Sequence, residues 1–328
     1  VSHSLPVVVA RAPVPEGAYA PLEGLADLRL VGADVPRPAL LAGLREAVGF
    51  IAFLTDRIDG ELFQAAPALR VVANYAVGIN NVDLAAARAR ELWITNTPGV
   101  LTDATAELAV GAMIALLRRF AEGERELRAG RFGGWTPTYL MGEGLSGKTL
   151  GIVGLGRIGR AVAARAAAFG TAVVYTSRSP SPEAPAGARR LSLEGLLAES
   201  DIVSLHVPLT PETRHLLDAR ALSRMKPTAV LVNTSRGPVV DEAALARALG
   251  AGRLAGAALD VYEDEPRVHS ALLTAPSTLL LPHLGSNTRA ARLAMGRLAA
   301  RNVAAVLRGE RPPTPVAGPG PELGPATP

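Results

Sequence analysis

Three short polar segments each leave an apolar run: Asn233-Thr234-Ser235-Arg236-Gly237, Asp260-Val261-Tyr262-Glu263-Asp264-Glu265-Pro266 and Pro282-His283-Leu284-Gly285-Ser286. Between them they carry the groups that reduction of a 2-oxo acid by hydride requires. The substrate carboxylate needs a planar, bidentate cation, which Arg supplies better than Lys. The carbonyl oxygen gains negative charge as hydride reaches the carbon, so a proton donor titrating near neutrality must stand beside it, and His is the usual choice. A carboxylate behind that His orients the ring and favours its imidazolium form. Arg236, His283 and Glu265 fit these roles in turn. Read singly, each has a plainer explanation: a surface ion-pair arginine, a structural histidine, and one acid of a solvated loop. His206, followed by Val207-Pro208 at the end of another apolar run, is the competing histidine. It ranks below His283 because its neighbours are poorer in polar groups.

A fourth segment supplies a place for a hydride carrier. The run Thr149–Val153 enters Gly154-Leu155-Gly156-Arg157-Ile158-Gly159, and an Ala- and Arg-rich stretch follows to Phe169. In a strand, turn and helix the first Gly makes the tight turn, the second lets backbone approach a pyrophosphate, and the third allows close helix packing. The helix N-terminus then faces the anion. An acid that binds the adenosine ribose is expected roughly 20 residues beyond the first Gly. The next strand instead ends in Thr176-Ser177-Arg178-Ser179, with no acid until Glu183. Ser hydroxyls and a guanidinium can bind a 2′-phosphate that a carboxylate would repel. The cofactor reading is therefore NADP(H) ahead of NAD(H). NAD(H) stays open if Arg178 is only a loop arginine.

These segments need a scaffold that brings them together. Short apolar runs recur at Pro6–Ala10, Leu28–Val31, Phe50–Leu54, Leu69–Ala73 and Trp93–Asn96. A second series runs Thr149–Val153, Ala172–Thr176, Ile202–His206, Ala229–Asn233, Gly256–Asp260 and Thr278–Leu281. Their alternation with amphipathic Ala- and Leu-rich stretches reads as repeated βα units, hence α/β architecture with parallel sheets covered on both faces. Ligands of such sheets bind outside the carboxyl ends of the strands, so the polar segments can converge. The two series imply two lobes. The stretch Thr105–Arg119 has helical period and is too apolar for a surface, so burial between domains or subunits is expected. Ser177–Arg190, with its prolines, reads as a surface loop. From about Ala317 the chain has no apolar period and is expected to be disordered, with residues 318–328 as the tail.

Composition removes the competing chemistries. The 328 residues give a prior of about two domains. There is no Cys, which excludes disulfides, thiolate metal sites and cysteine nucleophiles. The five His residues have no metal-ligand spacing, so no metal is expected. A hydrolase reading fails for want of a GxSxG elbow. Net charge is +4 and aromatics are 4%, with no basic tract to suggest a nucleic-acid groove. The longest apolar run, Leu108–Leu117, is about half a membrane span, and no basic segment precedes an apolar one at the start. A cytoplasmic protein without nucleic-acid or membrane partners is the expectation.

Taken together, the segments resemble the D-isomer-specific 2-hydroxyacid dehydrogenase family. The resemblance is carried by Asn74-Tyr75-Ala76-Val77-Gly78-Ile79-Asn80-Asn81-Val82-Asp83, Asn96-Thr97-Pro98-Gly99-Val100-Leu101-Thr102, Gly154 to Gly159, Asn233 to Gly237, Leu259 to Pro266, and Pro282 to Ser286. Within the family, Gly134-Trp135, Gly142-Glu143-Gly144-Leu145 and Tyr175-Thr176-Ser177-Arg178 look most like glyoxylate/hydroxypyruvate reductases. The resemblance implies two Rossmann-like domains. A flavodoxin-like substrate domain, residues 1–98 plus 288–317, would enclose in sequence an NAD(P)-binding domain of 99–287. It carries the catalytic roles onto Arg236, Glu265 and His283. It places Val77 and Gly78 N–H on the substrate carboxylate, Asp260 near the nicotinamide amide, and Thr234 and Gly285 on the cofactor. It also implies a homodimer in which Trp135 helps enclose the partner's substrate, a plain packing role being the alternative.

The chain departs from some relatives. Only a short segment follows Val316, so the regulatory domain of many phosphoglycerate dehydrogenases is not expected. Glu265 and His283 are both present, so the Asn and Gln groups by which formate dehydrogenases replace the acid–base pair are absent. The expected activity is reduction of glyoxylate or hydroxypyruvate to glycolate or D-glycerate. The alternatives are a D-lactate or phenylpyruvate type, with selectivity set by pocket residues such as Leu54, Leu101 and Trp135, and a non-catalytic NAD(P)-sensing corepressor.

Overall fold

The computed structural model describes residues 4–320. The chain starts one compact unit, builds a second whole, and returns to finish the first, with breaks after Leu101 and Ser286. The first passage holds β1 (Val7–Ala12), β2 (Asp27–Gly32), α1 (Arg37–Gly43), β3 (Gly49–Ala52), α2 (Gly60–Ala65), β4 (Val71–Asn74), α3 (Leu84–Ala89) and β5 (Trp93–Thr95). Every residue of β3 and β4 is buried, as expected of strands covered on both faces. Asp59 and Asp83 stop the helices at their N-termini by accepting the N–H of Leu62 and Ala86, at 3.1 and 2.9 Å.

The second unit holds α4 (Thr102–Leu117), α5 (Phe120–Arg128), β6 (Thr149–Val153), α6 (Arg157–Ala167), β7 (Ala172–Thr176), β8 (Arg189–Arg190), α7 (Leu193–Glu199), β9 (Ile202–Leu205), α8 (Ala219–Leu222), β10 (Val230–Asn233), α9 (Glu242–Gly250), β11 (Gly256–Leu259), α10 (Ser270–Leu273) and β12 (Thr278–Leu280). Its seven strands are ordered β12-β11-β10-β9-β6-β7-β8, all parallel. This is the doubly wound Rossmann order, with its switch point between β6 and β9. Alternate residues feed opposite faces. Leu150, Ile152, Val230 and Val232 pack with the Ala and Met of α4 and the Ala of α6. Val153, Leu231 and Leu259 pack with Leu196, Leu222 and Leu245 of α7, α8 and α9.

The apolar helix α4 begins three residues earlier than the periodicity suggested. Its own unit accounts for its burial: Ala106, Ala109 and Met113 are covered where α4 meets α6 and the ends of β10, β11 and β12. The proline-rich Ser177–Arg190 stretch is a loop until Arg189 and Arg190, which pair with β7 as a short edge strand.

The return passage is α11 (Arg289–Leu307) and β13 (Pro315–Ala317). It completes a six-stranded sheet ordered β13-β5-β4-β3-β1-β2. Strands β2-β1-β3-β4-β5 are parallel in the flavodoxin order, and β13 joins antiparallel. The expectation of disorder from Ala317 is corrected here. Ala317 is 3% exposed inside β13, and a Cβ on Gly318 would lie 2.1 Å from the Trp93 ring. Residues 321–328 of the expected tail lie outside the described residues. Among the described residues no helix is long and apolar enough to cross a membrane.

Candidate active site

The glycine turn sits at the switch point of the second unit. Gly154 has φ +95°, and a Cβ there would lie 2.7 Å from the His206 carbonyl oxygen and 2.8 Å from Val207 Cγ1. Only glycine lets the turn after β6 pass the turn after β9 so closely. A Cβ on Gly159 would meet the Gly154 carbonyl at 2.2 Å, so its absence lets α6 press against the turn. Gly156 caps α6 without any side-chain hydrogen bond. Leu155 is buried beneath the turn, and Arg157 and Ile158 open the helix half-buried. The first amides of α6 thus face outward toward the turn, as anion binding requires. Thr234, just past β10, keeps a buried hydroxyl with no partner among the described residues. Close backbone, an uncapped helix start and an orphaned hydroxyl fit a nicotinamide dinucleotide.

Beyond β7 the chain carries no acid before Glu183. Ser177 Oγ donates to the Ser179 carbonyl at 2.6 Å, and Arg178 is exposed beside it. The first acid, Glu183, is held by Arg160 at 2.8 Å. Arg190 was not singled out from sequence, yet β8 brings its guanidinium to this turn. It donates to the carbonyls of Ser177 and Arg178 at 2.8 and 3.1 Å.

The three catalytic candidates all belong to the second unit and follow β10, β11 and β12. Glu265 Oε2 accepts from His283 Nδ1 at 2.8 Å, and Oε1 accepts the Tyr262 N–H at 3.0 Å. Burial alone would raise the Glu265 carboxyl, but the bond and charge of His283, with the Tyr262 N–H and Arg236, bring it below the usual carboxylate range. An ionised carboxylate can only accept, so Nδ1 carries the proton and Nε2 is the nitrogen left for chemistry. Burial lowers the affinity of Arg236 for its proton, opposed by the charge of Glu265. The Arg236 backbone is fixed from Asn233, whose Nδ2 donates to the Arg236 carbonyl at 3.0 Å.

His283 has φ +56°, a left-handed conformation that costs a non-glycine residue about 1–2 kcal/mol. Asp260 holds it there. Its two oxygens accept the N–H of Leu284 and Gly285 at 2.6 and 2.8 Å. Burial raises the Asp260 carboxyl, only partly offset by those two bonds. The Gly285 N–H is therefore committed to Asp260. The loop bearing Glu265 is equally anchored. Glu242 and Glu263 exchange bonds, each carboxylate accepting the other's backbone N–H at 2.7 and 2.8 Å, and His215 Nε2 is 2.9 Å from Glu263. The acidic stretch is thus pinned at Glu263 and Glu265, while Asp264 pairs with the exposed Arg267.

The competing histidine is explained otherwise. Burial pushes His206 down to about 4, and its Nε2 bonds Ser204 Oγ at 2.9 Å. Near pH 7 that ring is neutral, and the N–H it keeps is far too weak an acid to protonate a carbonyl oxygen. Trp135 is 80% exposed, so packing within its own unit does not account for it. In the first unit Val77 and Gly78 sit half-buried in the loop after β4.

Residues 110–285 match the D-isomer specific 2-hydroxyacid dehydrogenase NAD binding domain. The chain belongs to the D-isomer-specific 2-hydroxyacid dehydrogenase family. This dehydrogenase is an oxidoreductase with a nicotinamide cofactor domain. It is 48% identical to the glyoxylate reductase of Thermococcus litoralis over 284 residues, 85% of this chain and 86% of that protein. A crystal structure of a Thermus thermophilus protein is 45% identical with a TM-score of 0.89, covering 94% of this chain and 99% of that one. An NADPH-dependent glyoxylate/hydroxypyruvate reductase from Sinorhizobium meliloti, in complex with NADP and malonate, is 36% identical with a TM-score of 0.86. That match covers 96% of this chain and 97% of the other.

Proposed function

We propose that the protein reduces glyoxylate, and hydroxypyruvate alongside it, with NADPH ahead of NADH. The observation that carries the reading is the 2.8 Å bond between Glu265 and His283. The second unit is the nucleotide-binding domain and the first the substrate domain. The Gly154–Gly159 turn takes the pyrophosphate. Ser177, Arg178 and Ser179 take a 2′-phosphate. Thr234, Asp260 and Gly285 flank the nicotinamide end, Asp260 chiefly by holding the His283 turn.

The Gly154–Gly159 turn would hold a reduced nicotinamide dinucleotide, which when bound would supply the hydride for the carbonyl carbon. In the second unit the Arg236 guanidinium binds the substrate and polarises its carbonyl, and in the first unit the Val77 and Gly78 N–H groups take a carboxylate. His283, protonated at both nitrogens, gives its Nε2 proton to the oxygen as it becomes a hydroxyl. Glu265 stays ionised and fixes the ring through Nδ1. In the reverse direction neutral His283 takes the hydroxyl proton at Nε2. No metal is needed, because Arg236 and His283 carry the charge stabilisation.

The protein acts as a homodimer in this reading. Phe120, Leu127, Phe132, Trp135 and Met141 are each more than half exposed on one stretch of chain, apolar surface of the kind a second copy covers. Absorbance at 340 nm with glyoxylate, hydroxypyruvate, pyruvate and phenylpyruvate, each with NADPH and NADH, tests the function. The expected result is the highest kcat/KM for glyoxylate or hydroxypyruvate with NADPH. Oxidation of neither cofactor by any acid would replace the enzyme reading with that of a nucleotide sensor.

A further inference from the structure

The loop after β4 presents its backbone in one sense. The Ala76 carbonyl accepts the Thr97 N–H at 2.9 Å, the Val77 carbonyl accepts Asn96 Nδ2 at 2.8 Å, and the Gly78 carbonyl accepts Asn74 Nδ2 at 2.8 Å. In a planar trans peptide the carbonyl and the following N–H point in opposite directions. Fixing these carbonyls therefore aims the N–H groups of Val77, Gly78 and Ile79 away from the scaffold. No acceptor for those N–H groups is found among the described residues.

The holding residues are themselves rigid. Asn74 closes β4 and is fully buried, and Asn96 follows β5 and is 8% exposed. Asn81 stands within 3.2 Å of the Asn74 side-chain amide and donates to the Asp56 carbonyl at 3.0 Å. The Asn96 backbone is clamped from the returning end of the chain. Its carbonyl accepts Thr314 Oγ1 at 2.6 Å, and Thr314 is fixed by Asn302 of α11, whose Oδ1 accepts the Thr314 N–H at 2.9 Å.

We propose that Asn96 is a positioning residue for substrate: by holding the Val77 carbonyl it presents the Gly78 N–H to the carboxylate of the 2-oxo acid. Asn74 does the same for the next peptide. This rests on the reading that the Val77–Gly78 loop takes the substrate carboxylate. The carboxylate is bound alike before and during hydride transfer, so its loss weakens binding without slowing the chemical step.

The test pairs kinetics with a complex. Asn96→Leu keeps the volume and removes the donor, and Asn96→Ser, too short to reach Val77, replaces it if the first variant does not fold. KM for glyoxylate should rise about tenfold, with kcat within about threefold and the dissociation constant for NADPH unchanged. A crystal of the wild-type protein with NADP and oxamate should show the oxamate carboxylate on the Gly78 N–H. An oxamate carboxylate bound elsewhere would remove the underlying reading and this inference with it. With oxamate on Gly78, an unchanged KM, or a fall in kcat at constant KM, would overturn the role of Asn96 alone.

Discussion

The Glu265 carboxylate and the His283 imidazole meet at 2.8 Å from loops that follow adjacent strands, β11 and β12. Each partner is fixed by backbone bonds of its own, Glu265 to the Tyr262 N–H and the His283 turn to Asp260. The pair is thus set before substrate arrives, which is what general acid catalysis needs of a donor and its orienting group.

Replacing Glu265 by Gln keeps the volume and removes the charge. We expect kcat to fall by about 10²-fold while the affinity for NADPH is unchanged. Because the folded carboxyl lies below its ordinary value of 4.5, the pair's contribution to stability is complete above that pH and is lost as pH falls through the lower folded value. The Glu265→Gln protein should therefore lose less stability on acidification than the wild type. Acid unfolding followed by circular dichroism measures this.

In the proposed reading the Ser177–Ser179 turn sets cofactor choice. Removing the guanidinium in Arg178→Ala should raise KM for NADPH by about 10- to 100-fold, the worth of a charged hydrogen bond, and leave KM for NADH alone. Steady-state kinetics with both cofactors decides it. A parallel rise for both would mean that Arg178 shapes the loop and does not read the phosphate.

His206 makes a prediction about stability. Its folded value of about 4 lies below the 6.5 of an unfolded histidine. Between those values the unfolded chain binds a proton that the folded one refuses, so stability falls as pH drops from 6.5 to 4, by at most about 3 kcal/mol. Above pH 6.5 the group contributes no slope. In His206→Gln the melting temperature should vary less across that window, and a slope equal to the wild type's would refute the assignment.

What was legible in the sequence follows from where the information lies. Runs such as Thr149–Val153 and Ala172–Thr176 match β6 and β7 because buried parallel strands are continuous apolar segments bounded by polar turns. Gly154 and Gly159 were readable because backbone approach leaves a residue type behind. The strand β13 was not, since its Pro-rich approach, Arg311 to Pro315, has no period and the strand exists only by antiparallel pairing with β5. Asn74 and Asn96 belong to quoted motifs, yet their bonds to Gly78 and Val77 depend on how β4 and β5 lie side by side. Arg190 is hidden for the same reason, because a two-residue edge strand delivers it. Glu263 looked like one acid among several until His215 and Glu242, distant in sequence, closed on it.

In the proposed mechanism His283 delivers the proton while hydride reaches the carbonyl carbon. The most direct test is single-turnover oxidation of bound NADPH by saturating glyoxylate, followed at 340 nm in the wild type and in His283→Gln at equal cofactor occupancy. The rate should be at least about 10²-fold lower in the variant, with an unchanged dissociation constant for NADPH. Equal single-turnover rates in the two proteins would contradict the mechanism.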